Sequence, residues 1–228
     1  MSKLTRFSAL ALGLVSALAL TSCNSSDSPF APTPKARIMA VHASPDAPAV
    51  DLLVDNVVAG TGLAFPGNTG YLNVKAGTRN LKINVAGTST TVINADLPVT
   101  AGASYTVFAA DAVAKIAPVV LTDDLTKPAA GKAHVRFVHL SPDAPAVDVA
   151  VTSGPVLFAN KSFKGYSAFT PVDAGTYNLE VRLAGTSTVV LPLPGITLTA
   201  GKIYTVFARG FVGGAGAQAL GAQIIVNN

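Results

Sequence analysis

His42-Ala-Ser-Pro-Asp-Ala-Pro-Ala-Val-Asp51 recurs as His139-Leu-Ser-Pro-Asp-Ala-Pro-Ala-Val-Asp148, with nine identities in ten positions at an offset of 97. Working outward, Ala76-Gly77-Thr78 and Ala86-Gly87-Thr88 return at Ala174 and Ala184. Tyr105-Thr106-Val107-Phe108 returns at Tyr204. Colinear blocks separated by single-residue drifts mean that one unit has been duplicated. The units run over residues 35–123 and 132–228. The segment 124–131, with Pro128 and Gly131, reads as a linker. Each unit carries a full set of strands and is expected to fold alone.

Within each unit the hydrophobic period is two. Val50, Leu52 and Val54 alternate with Asp51, Leu53 and Asp55, and Val147, Val149 and Val151 repeat the pattern. Leu81, Ile83 and Val85, like Leu179, Val181 and Leu183, do the same. Further strand-like runs are Arg37 to His42, Tyr71 to Val74, Thr90 to Ala95, Ser104 to Ala110 and Ile116 to Leu121, punctuated by Gly, Pro, Asn and Asp. No helical stripe exceeds two turns. The expected fold is all-β: two tandem antiparallel β-sandwich domains, immunoglobulin-like or transthyretin-like.

The first 34 residues are of another kind. Lys3 and Arg6 precede an apolar stretch from Phe7 to Leu20, and Leu20-Thr21-Ser22-Cys23 follows. That ending looks like the lipobox of bacterial lipoproteins. The resemblance implies a signal peptide over residues 1–22 and acylation of Cys23, which is the only cysteine. It also implies a lipid-anchored, exported place in the bacterial cell envelope, at the outer membrane or cell surface. Residues 23–34, rich in Ser and Pro, read as a tether. Removal of Lys3 and Arg6 leaves 14 basic and 12 acidic side chains, scattered singly and without tryptophan. That distribution excludes a nucleic-acid partner. The partners expected are the membrane, through Cys23, and an envelope protein or glycan.

The duplicated block and the downstream Ala-Gly-Thr and Ala-Gly-x-x-Tyr-Thr-Val elements resemble the bacterial family catalogued as domain of unknown function 4397. The resemblance implies an all-β envelope module and carries no catalytic residues.

Chemistry, if present, resides in the block: His42, Ser44, Asp46 and Asp51, with His139, Ser141, Asp143 and Asp148. Strand parity places each His on the core-facing side at a strand end, where it needs a polar partner. The favoured reading is structural. The two prolines stiffen a crossing between strands, Asp46 holds turn amides, and His42 donates to a loop carbonyl or carboxylate. One alternative is a calcium site drawing on Asp46, Asp51 and Asp55, although no closing Glu follows. Zinc lacks ligands, with one His per unit and no further cysteine. The other alternative is a hydrolase triad of Ser44, His42 and Asp46, which such close spacing disfavours. Glu180, the only glutamate, aligns with Lys82, and His134 aligns with Arg37, so neither is a shared functional position. Tyr71, Tyr166 and Tyr177 are candidates for an exposed binding surface, while Tyr105 and Tyr204 read as core. Gly213-Gly214-Ala215-Gly216 reads as a flexible loop before the last strand, without the following helix that a phosphate cradle needs. The function expected is therefore a non-catalytic structural or binding role, with no cofactor and no metal. A hydrolase or calcium-dependent module on envelope polymers is the alternative.

Overall fold

The computed structural model describes residues 33–228. The signal segment and Cys23 lie outside the described residues. The first half contributes β1 (Lys35–Ala43), β2 (Val50–Val54), β3 (Val57–Leu63), β4 (Asn68–Lys75), β5 (Gly77–Val85), β6 (Thr91–Val99), β7 (Ser104–Ala110) and β8 (Ala117–Thr122). The second half repeats them as β9 (Lys132–His139), β10 (Val147–Val151), β11 (Val156–Lys161), β12 (Thr170–Asp173), β13 (Gly175–Leu183), β14 (Val189–Leu198), β15 (Ile203–Arg209) and β16 (Gly221–Val226). The only helical elements among these residues are two 3-10 turns of three residues.

The strands form four open sheets, ordered β4-β1-β7-β8, β3-β2-β5-β6, β12-β9-β15-β16 and β11-β10-β13-β14. The all-β sandwich class expected from periodicity is what forms, with one refinement. β1 pairs with β7, and β9 with β15, in parallel. The reason is local: the Pro-rich block carries the chain out of one sheet and into the other, so β1 makes no hairpin with β2. Its neighbour is instead the late strand β7, which runs in the same direction. β3 is a further addition. Val57-Val-Ala-Gly-Thr-Gly-Leu63 is Gly-rich and half-exposed, and it shows no alternation to read.

Each pair of sheets encloses a core. Ile38, Ala40 and Val107 meet Leu81, Ile83 and Leu97 in the first half, and Val135, Phe137 and Val206 meet Val149 and Val181 in the second. A further core joins the halves. Met39, Val41 and Phe108, from the opposite faces of β1 and β7, pack with Val138, Leu140, Phe207 and Ile225. The Phe108 and Phe207 rings meet edge-on at 5.6 Å. The layers are therefore outer, inner, inner, outer, with both inner sheets buried on two faces. That explains why β7 is buried at every residue and ends in the non-alternating apolar stretch Val107-Phe-Ala-Ala110. The expectation of self-sufficient halves meets a core that the two halves share.

A polar ring crosses this shared core. Arg136 Nη2 lies 2.7 Å from Asp123 Oδ1, with both side chains essentially buried. Arg136 also donates to Thr205 Oγ1 at 2.8 Å and Thr106 Oγ1 at 3.0 Å. Thr106 donates to Asp123, Thr205 to Asn227 and Asn227 to the Tyr71 hydroxyl, which donates to Asp123 and closes the ring. The Phe169 ring lies 4.5 Å from the guanidinium carbon. Burial first, then the Asp123 charge, pushes the Tyr71 hydroxyl up to about 12, so it remains a donor. Tyr71 thus belongs to this interface and not to an exposed binding surface.

The ring is built from matching positions of the two halves that carry different residues. Arg136 stands where the first half has Met39, and Asn227 where it has Asp123. The backbone confirms the second match. Asp123 N donates to Ser104 O as Asn227 N donates to Ile203 O. Arg136→Ala should cost about 3–5 kcal/mol by leaving Asp123 buried without its cation. The double change Arg136→Met with Asp123→Asn installs at each place what the other half already carries, and it should lose less than Arg136→Ala. Urea unfolding of the three proteins reads the difference.

Candidate functional site

The block leaves the inner sheet at His42 and enters the outer sheet at Val50, with His139 and Val147 as counterparts. Both imidazoles are fully buried. His42 Nε2 contacts Pro48 O at 2.9 Å and His139 Nε2 contacts Pro145 O at 3.1 Å. A carbonyl only accepts, so Nε2 carries the proton in each ring and Nδ1 is the free acceptor. Burial pushes both His pKa values below their ordinary value, against a smaller opposing pull from those carbonyls. Both rings are therefore neutral near pH 7.

The carboxylates act on backbone amides. Asp51 accepts from Gly62 N at 2.7 Å and Gly87 N at 2.9 Å. Asp148 accepts from Asn160 N at 2.6 Å and Gly185 N at 2.9 Å. Each thereby joins the bulged strand beside it to the turn of the next hairpin. Gly87 and Gly185 take left-handed φ values of 71° and 72°, which glycine adopts without strain. These amide bonds hold both carboxylates below the usual range. Asp46 accepts from Val113 N at 2.8 Å and Asp143 from Val212 N at 3.0 Å, so each holds the connection between the last two strands of its half. Those amides are nearly 70 residues away, so Asp46 clasps a distant loop and not its own turn.

The serines differ between the halves. Ser141 donates to Gly210 O at 2.6 Å, whereas Ser44 Oγ is buried without a partner. The hydrolase constellation is not assembled. The Nε2 of His42 is committed to Pro48 O, and Asp46 is committed to Val113. The three carboxylates weighed for calcium also diverge, since Asp55 engages Arg79 and Asn80 N. Among the described residues, no three His, Cys, Asp or Glu side chains gather where they could hold a metal. Tyr105 and Tyr204 are buried, and their hydroxyls accept from Thr100 N and Thr199 N. The sequence reading missed Asp123 and Arg136. The available signal was an arginine inside the apolar run Ala133-His-Val-Arg-Phe-Val138 where the other copy has Met39.

A family model described as "Domain of unknown function (DUF4397)" matches residues 36–150, and the chain belongs to that family. The match covers the first half and continues through the second copy of the block. No curated protein matches the chain. Among solved structures, the Bacillus anthracis TIE protein is similar at 12% identity and a TM-score of 0.25. The alignment covers 77% of this chain and 33% of that one, so this chain spans about a third of that protein's length. A family CBM26 module from Eubacterium rectale Amy13K, solved with maltoheptaose, aligns over 84% of this chain and 96% of its own, at 12% identity and a TM-score of 0.25. A putative cell adhesion protein from Bacteroides fragilis NCTC 9343 aligns over 85% and 98%, at 12% identity and a TM-score of 0.21. Likenesses this remote carry no argument about ligands.

The protonation states set an acid response. The unfolded chain binds protons on His42 and His139 below pH 6.5, where the folded state resists them, so stability is complete above that value and falls as pH drops below it. Asp51 and Asp148 contribute above their ordinary 3.8 and lose that contribution as pH falls through their lower folded values. Thermal melts should show a first decline below pH 6.5 and a second below about 4. Asp51→Asn with Asp148→Asn should flatten the second decline and leave the first unchanged.

Proposed function

We propose that this protein is a non-catalytic structural or binding module of the bacterial cell envelope, carried at the membrane by a lipid on Cys23. Its repeated units at 35–123 and 132–228, joined by 124–131, serve as a rigid displayed body. The observation that carries the non-catalytic reading is the use of the block. In both copies His and Asp groups are committed to backbone carbonyls and amides of their own half. A duplicated catalytic centre would instead present a base and a nucleophile to a substrate. The block is accordingly a clasp, and any partner, an envelope protein or glycan, meets the surface that the clasp holds in shape.

The location rests on Leu20-Thr21-Ser22-Cys23, with the basic and apolar segments before it. Two or more acyl chains at one residue would make membrane attachment stable. Labelled palmitate should be incorporated into the wild type, which should partition with detergent. Cys23→Ala should take up no label and should not partition. Label retained by Cys23→Ala would end the lipoprotein reading.

A further inference from the structure

Beside the buried polar ring, a crevice of about 250 Å³ opens to solvent along the seam between the halves. Thr122, which ends β8, and Asp124 line it from the first half, and Arg136, Tyr166, Ser167 and Phe169 line it from the second. The wall formed by residues 164–169 is held from both backbone and side chain. Lys164 N donates to His139 O at 2.8 Å, Ser167 N to Phe137 O at 2.9 Å, and Phe137 N to Ser167 Oγ at 3.0 Å. Arg136 gives the crevice a buried cation with one donor to spare. Its Nε and Nη2 serve Thr205, Thr106 and Asp123. Nη1 has no acceptor among the described residues, and it keeps part of the 2% of the residue that solvent reaches. Burial lowers the pKa of the guanidinium, while Asp123, Tyr71 and Tyr166 pull the other way, so the group stays charged.

The corresponding place in the first half is built differently. Gly67 O and Gly165 O each accept from the amide of the block's His, and Thr69 Oγ1 and Ser167 Oγ each accept from an amide of the inner strand. Asn68 therefore matches Tyr166, and Tyr71 matches Phe169. Tyr71 commits its hydroxyl to Asp123, whereas Phe169 has none to give and lies against the guanidinium. Tyr166 is 54% exposed and is the only exposed aromatic side chain among the described residues.

These features select a ligand class. An anion gains little, because Asp123 already neutralises the guanidinium and the Asp124 carboxylate stands at the rim. A hydrocarbon would cover Nη1 without giving it an acceptor. A peptide strand meets blunted margins, because β8 and β12 carry Pro118 and Pro171. A sugar ring has a face of C–H groups to lie on an aromatic ring, and an edge of oxygens that both accept and donate. We propose that this crevice binds a neutral sugar residue of an envelope glycan, with its C–H face on the Tyr166 ring, one oxygen accepting from Arg136 Nη1 and one hydroxyl donating to Asp124. The assignment names a partner for the binding role proposed above and rests on that role, not on lipidation of Cys23.

The test is NMR of residues 23–228 carrying Cys23→Ala, titrated with the methyl glycosides of glucose, galactose, mannose and N-acetylglucosamine. Saturable shifts are expected with at least one of them at the Tyr166 and Phe169 rings and at the Arg136 Nε–H, with the Tyr177 ring unmoved as the internal control. Glucuronate and galacturonate should bind more weakly than the neutral sugars. Tyr166→Asn, which installs at an exposed position the residue that the first half carries, should weaken binding about tenfold with an unchanged melting temperature. Tyr166→Phe should retain it. Absence of saturable shifts with all four glycosides, tighter binding of the uronic acids, undiminished binding by Tyr166→Asn, or equal shifts from acetyl-trialanine amide would each overturn the proposal and leave the envelope role standing. Hydrolysis of a bound glycoside would instead keep the sugar site and overturn the non-catalytic reading.

Discussion

Two sheets that are apolar on both faces cannot each be covered by one partner sheet, and this constraint organises the molecule. β1, β7, β9 and β15 spend one face on their own outer sheet and the other on each other. The Arg136–Asp123 pair sits in that shared layer, where an uncompensated charge is costly. It distinguishes correct from incorrect pairing. Two first halves placed together would bury two aspartates, and two second halves two arginines. Only the unlike pair neutralises itself, and Thr106, Thr205, Asn227 and Tyr71 supply the remaining hydrogen bonds. The two halves present similar faces, and the differences at the matching positions Met39/Arg136 and Asp123/Asn227 make them complementary.

The block performs a different task within each half. His42 and His139 bond back across the crossing between sheets, Asp51 and Asp148 hold two turns of the outer sheet, and Asp46 and Asp143 hold the last connection. Three side chains thus fix one end of a sandwich from a single short segment. This explains how both copies retain the same residues while the loop they hold differs in length by five residues. Asp46 anchors Val113 in the shorter connection, and Asp143 anchors Val212 in the longer one.

Much of this was legible in residue order alone. Alternation at Val50, Leu52 and Val54 and at Leu81, Ile83 and Val85 identified strands, because a half-buried strand must alternate. Parity placed His42 and His139 inside, where they are. The second buried face of the inner sheets was written in the apolar stretch Val107 to Ala110, which does not alternate, but such a stretch does not name what covers it. Asp123 was harder to read. At the end of a strand before a linker it looks like an ordinary solvated turn residue, and its role depends on an arginine in the other half that local patterning cannot bring near. β3 lacked a signal because a half-exposed, Gly-rich edge has little hydrophobic contrast.

The distribution of proline has a consequence for how the molecule behaves beside its own copies. Pro98 lies on β6, Pro118 on β8, Pro171 on β12, and Pro192 and Pro194 on β14. Each of these is the terminal strand of a different sheet. Proline is tolerated at a margin because no neighbour requires its missing amide, and for the same reason it blunts that margin against an incoming strand. Every sheet therefore has one blunted margin and one without proline. In the language of polymer growth, each sheet is a monofunctional unit: strand addition at its open margin joins two sheets and then terminates. Continuous β-fibres need building blocks that can extend from both sides, and this distribution withholds the second side in all four layers.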